Sequence, residues 1–446
     1  MRVEPHSPGI CQSPDASTTE LSRESLAEVA RERVSAAGGG QAAVLYVTHN
    51  GLTEPLGRRQ VLPYLTALSE MGWKFTVISF EKPETADPEA VMAVQDLLSP
   101  VGIRWLPLSY HRRPAVIATA YDALRGWMTA LTAQRRVGLL HARSTVPAAI
   151  VRWAKPVVNL PWVFDVRGLL AEEYADAGHW RRGGVLHRLT NNVESRLMTE
   201  ADGLVFLTQH ISDRLRDNRA VPPDQPSQVI PCCVDTEVFR PSAGARGGIR
   251  RELGLGDAPV MVYAGSLGSW YCLDEMLDFH GVARQHLPGL RLMILTPQVD
   301  LALRAVGMRS EMAASIAVQR VAVDRVPVYL AAADAGLCFL RDSYSKTASS
   351  PTKYGEYLAS GLPVVTTGWT GDAGKLATER AWITIDAFCN DEYERAAARL
   401  TTLLARPKVT AAEARRLGCR EFSLGTGASR YDALYREVLA RWRKAS

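Results

Sequence analysis

The segment 343–367, SYSKTASSPTKYGEYLASGLPVVTT, holds the densest set of residues able to do chemistry. Ser350 reads as a helix N-cap, Pro351 as the first helical residue, and Gly361 followed by Pro363 as a stop. This predicts a short helix over 351–360 between two buried strands. Its first turn offers unpaired backbone N–H groups from Ser350 to Lys353 and the positive end of the helix dipole. Ser345, Ser349 and Ser350 add hydroxyls, and Lys353 adds a full charge. Together they suit a dianionic phosphate. Glu356 falls one turn deeper on the same face, where a carboxylate can accept hydrogen bonds from two sugar hydroxyls. Phosphate with a ribose beside it describes a nucleoside diphosphate. An ordinary Lys353–Glu356 pair on a capped surface helix is the plain alternative, and pattern alone does not separate the two.

Those residues need elements to hold them. AAVLYVTH, from Ala42, is the continuous apolar run of a strand buried on both faces. A polar, glycine-bearing loop (Asn50 to Arg59), a helix carrying Val61, Leu62, Leu65 and Leu68, and the strand KFTVISF follow. The same alternation returns with strands at 137–143, 161–166 and 203–208. After a stretch rich in Pro, Gly and Arg between Asn218 and Asp257, read as a linker, it returns again at 259–265, 290–296, 334–340, 362–367 and 381–386. Helices near 409–420 and 429–443 close the chain. Alternating short strands and amphipathic helices define an α/β chain with doubly wound parallel sheets. Two such halves give two Rossmann-like domains facing each other across a cleft, with ligands at the carboxyl ends of the strands. The expected divisions are an extension over 1–40 that is mobile and outside the core, with a helix near Glu20–Val34, a first domain over 41–240, a second over 241–425, and a last helix over 426–446 returning toward the first domain.

Composition excludes several classes. The chain has 446 residues, 47% hydrophobic and 22% charged, enough for two sizeable cores. Lys and Arg number 52 against 47 Asp and Glu, and a net charge of +5 is too small an excess to argue for nucleic acid. The seven cysteines lack both disulfide-framework and metal-ligand spacing, which points to a reducing, cytosolic setting. No apolar run approaches the roughly 20 residues that cross a bilayer. Arg112-Arg113 and Arg181-Arg182, with Trp180 nearby, form either a basic, aromatic surface for anionic lipid or ordinary solvated charge.

TKYGEYLASGLPVV resembles the signature segment of retaining nucleotide-sugar glycosyltransferases of the GT-B fold, family four. HNGLTEPLGRRQVLPYL, LLHARS, FDVRG, ADGLVFLT, VIPCCVDTEVFRP and VYAGSLGSWYCLDEML resemble further segments of that family in the same order, over about 42–440. The resemblance implies that Glu356 binds the donor ribose and that Thr352 and Lys353 contact phosphate. It also places Ser266, Pro351 and Tyr357 in the donor site. A second glutamate that the family carries seven positions before Glu356 is Ser349 here, and SLGSWY stands where the family has Arg and Lys. More of the diphosphate charge therefore falls to Lys353.

In the first domain Asn50 and Gly51 would face the diphosphate, Gly51 allowing close backbone approach. Arg58 and Arg59 could reach phosphate or acceptor, or be solvated. His141 and Arg143 end one strand, and Arg143 stands where many relatives place a histidine near the donor sugar. Asp165 and Arg167 end the next strand and either hold acceptor hydroxyls or pair with each other. Trp270 and Tyr271 stack on the base, shield the pyrophosphate or pack at the cleft edge.

The activity implied is retaining, metal-independent sugar transfer with Lys353, Arg143, Asp165 and Arg167 at the reaction centre. The donor is UDP- or GDP-linked, no cofactor is needed beyond it, and the acceptor is a sugar, a lipid-linked sugar or a small molecule. A GT-B nucleotide-sugar epimerase and a non-catalytic nucleotide-sugar-binding scaffold are the competing readings.

Overall fold

The computed structural model describes residues 43–445 apart from 112–114, 134–136 and 269. The expected extension and the Arg112-Arg113 pair lie outside the described residues.

Strands β1 (Ala43–Thr48), β2 (Lys74–Glu81), β3 (Arg104–Ser109), β4 (Leu139–Arg143), β5 (Trp162–Val166), β6 (Gly203–Phe206) and β7 (Ser227–Val229) form a parallel sheet in the order β3-β2-β1-β4-β5-β6-β7. A second parallel sheet orders β8 (Val260–Ala264), β9 (Arg291–Leu295), β10 (Ile316–Gln319), β11 (Ala335–Cys338), β12 (Val364–Thr367) and β13 (Trp382–Ile385) as β10-β9-β8-β11-β12-β13. Central strands are covered on both faces, so their sequences are unbroken apolar runs: Val44, Leu45 and Val47 of β1 are fully buried, as are Val260, Met261 and Val262 of β8. Each such side chain contributes about 1.5–3 kcal/mol. The edge strands β3, β7 and β10 escape the sequence pattern because none carries such a run. β3 is only partly covered and contains Pro107, which an edge tolerates.

The expected linker over 218–257 is mostly folded. It contains β7 and the helix Ala243–Glu252, whose Arg246 and Arg250 each pair with Asp334 at 2.7 Å. Arginines that read as linker composition thus tie this helix to the second sheet. The true crossing is short. Val234 donates to the Phe422 carbonyl and accepts from the Leu424 amide, so the outgoing and returning chains run side by side. The last helix, Leu424–Ala445, then buries Tyr431, Leu434, Tyr435 and Val438 in the core of the first domain. At Gly203 a methyl group would stand 2.5 Å from Val438, so the helix lies directly on β6.

Candidate active site

The signature helix runs over Thr352–Ala359, one residue later than expected at its start. Its N-cap is Pro351, not Ser350. The Ser350 hydroxyl instead accepts from the Cys232 amide at 3.2 Å, tying the helix start to the domain crossing. The first-turn amides therefore keep no side-chain cap.

Lys353 is buried, and its ammonium lies 3.8 Å from the Tyr271 ring centroid and 5.2 Å from that of Tyr263. Burial opposes its charge, but Tyr271, Cys338 and Glu356 outweigh it and hold its pKa above the ordinary lysine value. Gly265, at φ +140°, makes the space, since a methyl there would meet Nζ at 2.6 Å. Glu356 is buried one turn further on. Burial pushes its carboxyl up, against the charges of Arg59 and Lys353. Arg59, from the helix Pro55–Gln60 of the first domain, donates to Glu356 Oε1 at 3.0 Å and to the Val323 carbonyl at 2.6 Å. These residues, with Ser266, Thr296, Pro297 and Thr352, line a cavity of about 440 Å³ between the domains.

The glycine loop is held from below. Glu81 accepts from the Leu52 amide at 2.8 Å, the Thr53 amide at 3.0 Å, the Thr53 hydroxyl at 2.6 Å and the Ser79 hydroxyl at 2.5 Å. Gly51 donates to Glu54 at 3.0 Å, and a methyl on it would stand 2.6 Å from Glu81. Asn50 donates to the Thr48 hydroxyl. Gly57 passes so close beneath that an added methyl would overlap the Gly51 carbonyl at 2.0 Å.

Other expected residues do not join this cavity. Asp165 is fully buried, with Arg143 at 3.2 Å, Arg167 at 3.5 Å and the Tyr431 hydroxyl at 2.8 Å. The Arg167 contact attracts by charge without hydrogen-bond geometry. Burial alone would raise the Asp165 carboxyl, but Arg167, His141 and Arg143 together hold it well below the carboxylate range. Of the two roles open to Asp165 and Arg167, mutual pairing is the one present. Arg167 also donates to Gln60 at 3.4 Å. His141 is fully buried, stacked on Tyr46 and bonded to the Tyr435 hydroxyl at 2.6 Å; burial lowers its pKa. Tyr357 is a core residue whose hydroxyl accepts from the Ala264 amide at 2.8 Å. Arg58 is exposed, on the rim of a neighbouring cavity of about 570 Å³ that Glu356 also reaches. Ser349 and Ser350 line a third, of about 540 Å³. Trp270 lies under Lys346, 3.9 Å from its ammonium.

Three further interdomain contacts carried no signal of their own. Lys346 stands 3.7 Å from Glu173 of the first domain, and Asp176 accepts from the Ser345 amide at 2.9 Å. Asp372 accepts from the amides of Gln209 and His210 at 2.7 and 2.9 Å, capping a first-domain helix from the second domain. Among the described residues no group of three or more His, Cys, Asp or Glu side chains could hold a metal ion.

Two parallel-sheet domains, a short double crossing and a cleft at the strand ends define the GT-B fold. Residues 57–233 match the family described as Glycosyl transferase 4-like domain. No curated protein sequence matches significantly. Among solved structures, the chain is similar to HepE of Anabaena in complex with UDP and glucose: 16% identity, TM-score 0.64, covering 89% of this chain and 100% of that one. It is also similar to sucrose-phosphate synthase of Thermosynechococcus elongatus, at 17% identity and TM-score 0.65, covering 90% and 100%. A glycosyltransferase of Rickettsia africae is 13% identical with TM-score 0.63, covering 90% and 99%.

Proposed function

We propose that the chain is a retaining glycosyltransferase that moves a sugar from a nucleoside-diphosphate sugar to an acceptor hydroxyl. The observation that carries this reading is the meeting of Arg59, Lys353 and Glu356 at one interdomain cavity beside an uncapped helix start. Glu356 Oε2 receives a ribose hydroxyl while Arg59 orients Oε1. Lys353 and the first-turn amides face the diphosphate.

As the bond from the sugar's anomeric carbon to the phosphate oxygen lengthens, negative charge grows on the leaving diphosphate. Lys353 and the amides stabilise it in place, without rearrangement. The leaving oxygen takes the acceptor's proton on the face of attack, and the acceptor oxygen bonds the same face of the sugar. Retention of configuration follows, and no protein base or metal is invoked. UDP is the favoured nucleotide, because HepE is solved with UDP and with UDP-glucose. An epimerase would need two acid/base groups. Among the described residues, the titratable side chains lining the donor cavity are Arg59, Lys353 and Glu356, a set with a single carboxylate.

Calorimetry with UDP, GDP, dTDP and ADP on wild type and Glu356→Ala tests the site. Binding of one nucleotide at micromolar level, weakened by the substitution, supports it; binding of none sinks it. The anomeric configuration of the product, read by proton NMR, tests retention.

A further inference from the structure

The strand order places the connections β3 to β4, β4 to β5 and β5 to β6 on one face of the first sheet, because all advance in one direction with right-handed crossovers. Their helices, Ala115–Ala133, Thr145–Val158 and Val185–Glu200, lie side by side there. Each turns apolar side chains outward. The first exposes Tyr121, Leu124 and Met128, each about half exposed, and the second exposes Trp153 and Val157. On the third, Val185, Leu186, Leu189 and Val193 stand at helical spacing opposite the buried His187, Glu194 and Met198. Exposed apolar residues are ordinary when scattered, but nine of them on three neighbouring helices of one face mark a docking surface.

Charge says what docks. At least partly exposed on these helices are Arg125, Arg152, Lys155, Arg188 and Arg196; Arg152 is paired with Glu200 and Lys155 with Asp202, which leaves Arg125, Arg188 and Arg196 as the surplus positive charge. Asp122 and Glu194, their other acids, are buried and bonded internally. Arg181 adds a cation just before the third helix, whereas Arg182 is neutralised by Glu172 and Asp176. A second copy of the chain on this face would set cations against cations across a two-fold axis. No described helix is long and apolar enough to cross a membrane.

We propose that this three-helix face of the first domain docks peripherally on an anionic lipid bilayer, its apolar side chains entering the interface and its arginines meeting the headgroups. The surface lies apart from the donor cavity, so it stands or falls separately from the transfer reading.

Co-sedimentation of the full chain with phosphatidylglycerol-containing and pure phosphatidylcholine vesicles tests it, alongside the mass in solution by light scattering. Wild type should pellet with the anionic vesicles and be released by high salt. Arg188→Gln with Arg196→Gln should weaken partition about 25-fold, from about fivefold per charge. Leu186→Asn with Leu189→Asn, at exposed positions that leave the fold intact, should lower it about tenfold or more. Nucleotide binding should be unchanged in both.

Equal pelleting with neutral vesicles, pelleting with neither, or retention by both double variants would overturn the proposal. So would a wild-type dimer that Leu186→Asn with Leu189→Asn makes monomeric, which would assign the face to a second copy. Capture of polyglutamate without vesicle binding would assign it to an acidic protein.

Discussion

Arg59 and Glu356, 297 positions apart and on opposite domains, meet at 3.0 Å over the donor cavity. The carboxylate is buried and the guanidinium partly exposed, so the pair joins the two domains where a nucleotide would enter. Burial raises the Glu356 pKa and Arg59 opposes that rise. Removing Arg59 therefore raises it further. Because ribose hydroxyls donate to the ionised form, affinity falls as pH drops through this pKa. In Arg59→Ala the fall should begin at higher pH than in wild type, with about tenfold weaker nucleotide binding near neutrality. Titrating nucleotide across pH checks this, and superimposable profiles would refute it.

Lys353→Met keeps an apolar stem against Tyr271 and Tyr263 and removes the charge. If Lys353 stabilises charge that grows as the sugar departs, kcat should fall about a hundredfold or more, with a smaller change in KM. Steady-state kinetics on the nucleotide sugar decides it. A rise in KM alone would make Lys353 a binding residue only.

Asp165→Asn should cost about 3–5 kcal/mol of stability, because it leaves the buried Arg143 and the largely covered Arg167 without their counter-charge. Its carboxyl is depressed in the folded state, so the stability it supplies is present above the ordinary carboxylate pKa and is lost as pH falls below it. Denaturant unfolding at neutral and acid pH should show the wild-type advantage shrinking with acidification. A stable Asp165→Asn with abolished turnover would instead place this carboxylate in the chemistry.

Glu81→Gln should loosen the glycine loop, since an amide cannot accept all four donors that the carboxylate holds. The expected loss is about 1–3 kcal/mol of stability together with reduced kcat/KM. Gly57→Ala should be worse, because its methyl would overlap the Gly51 backbone. Thermal unfolding and kinetics on both variants check the order.

The central strands were legible because strands covered on both faces must be continuously apolar, and that is a property of local sequence. The signature helix was legible from its proline start and glycine stop, to within one residue. The helix at 243–252 was not. Its arginines look like solvated linker until Asp334, some 80–90 positions on, is brought beside them.

Sequence by itself determined the two-domain α/β architecture and the placing of Lys353 and Glu356, which stand one helical turn apart in any fold that makes the helix. Tertiary structure decided which first-domain residue meets them. Arg58 and Arg59 are neighbours of the same type, and only the docking of the domains turns Arg59 toward Glu356 and leaves Arg58 in solvent. It also decided that His141, Arg143 and Asp165 lie beneath the last helix, bound to one another and to Tyr431 and Tyr435. That helix arrives from nearly 300 residues away, and no local pattern in β4 or β5 announces what will cover them.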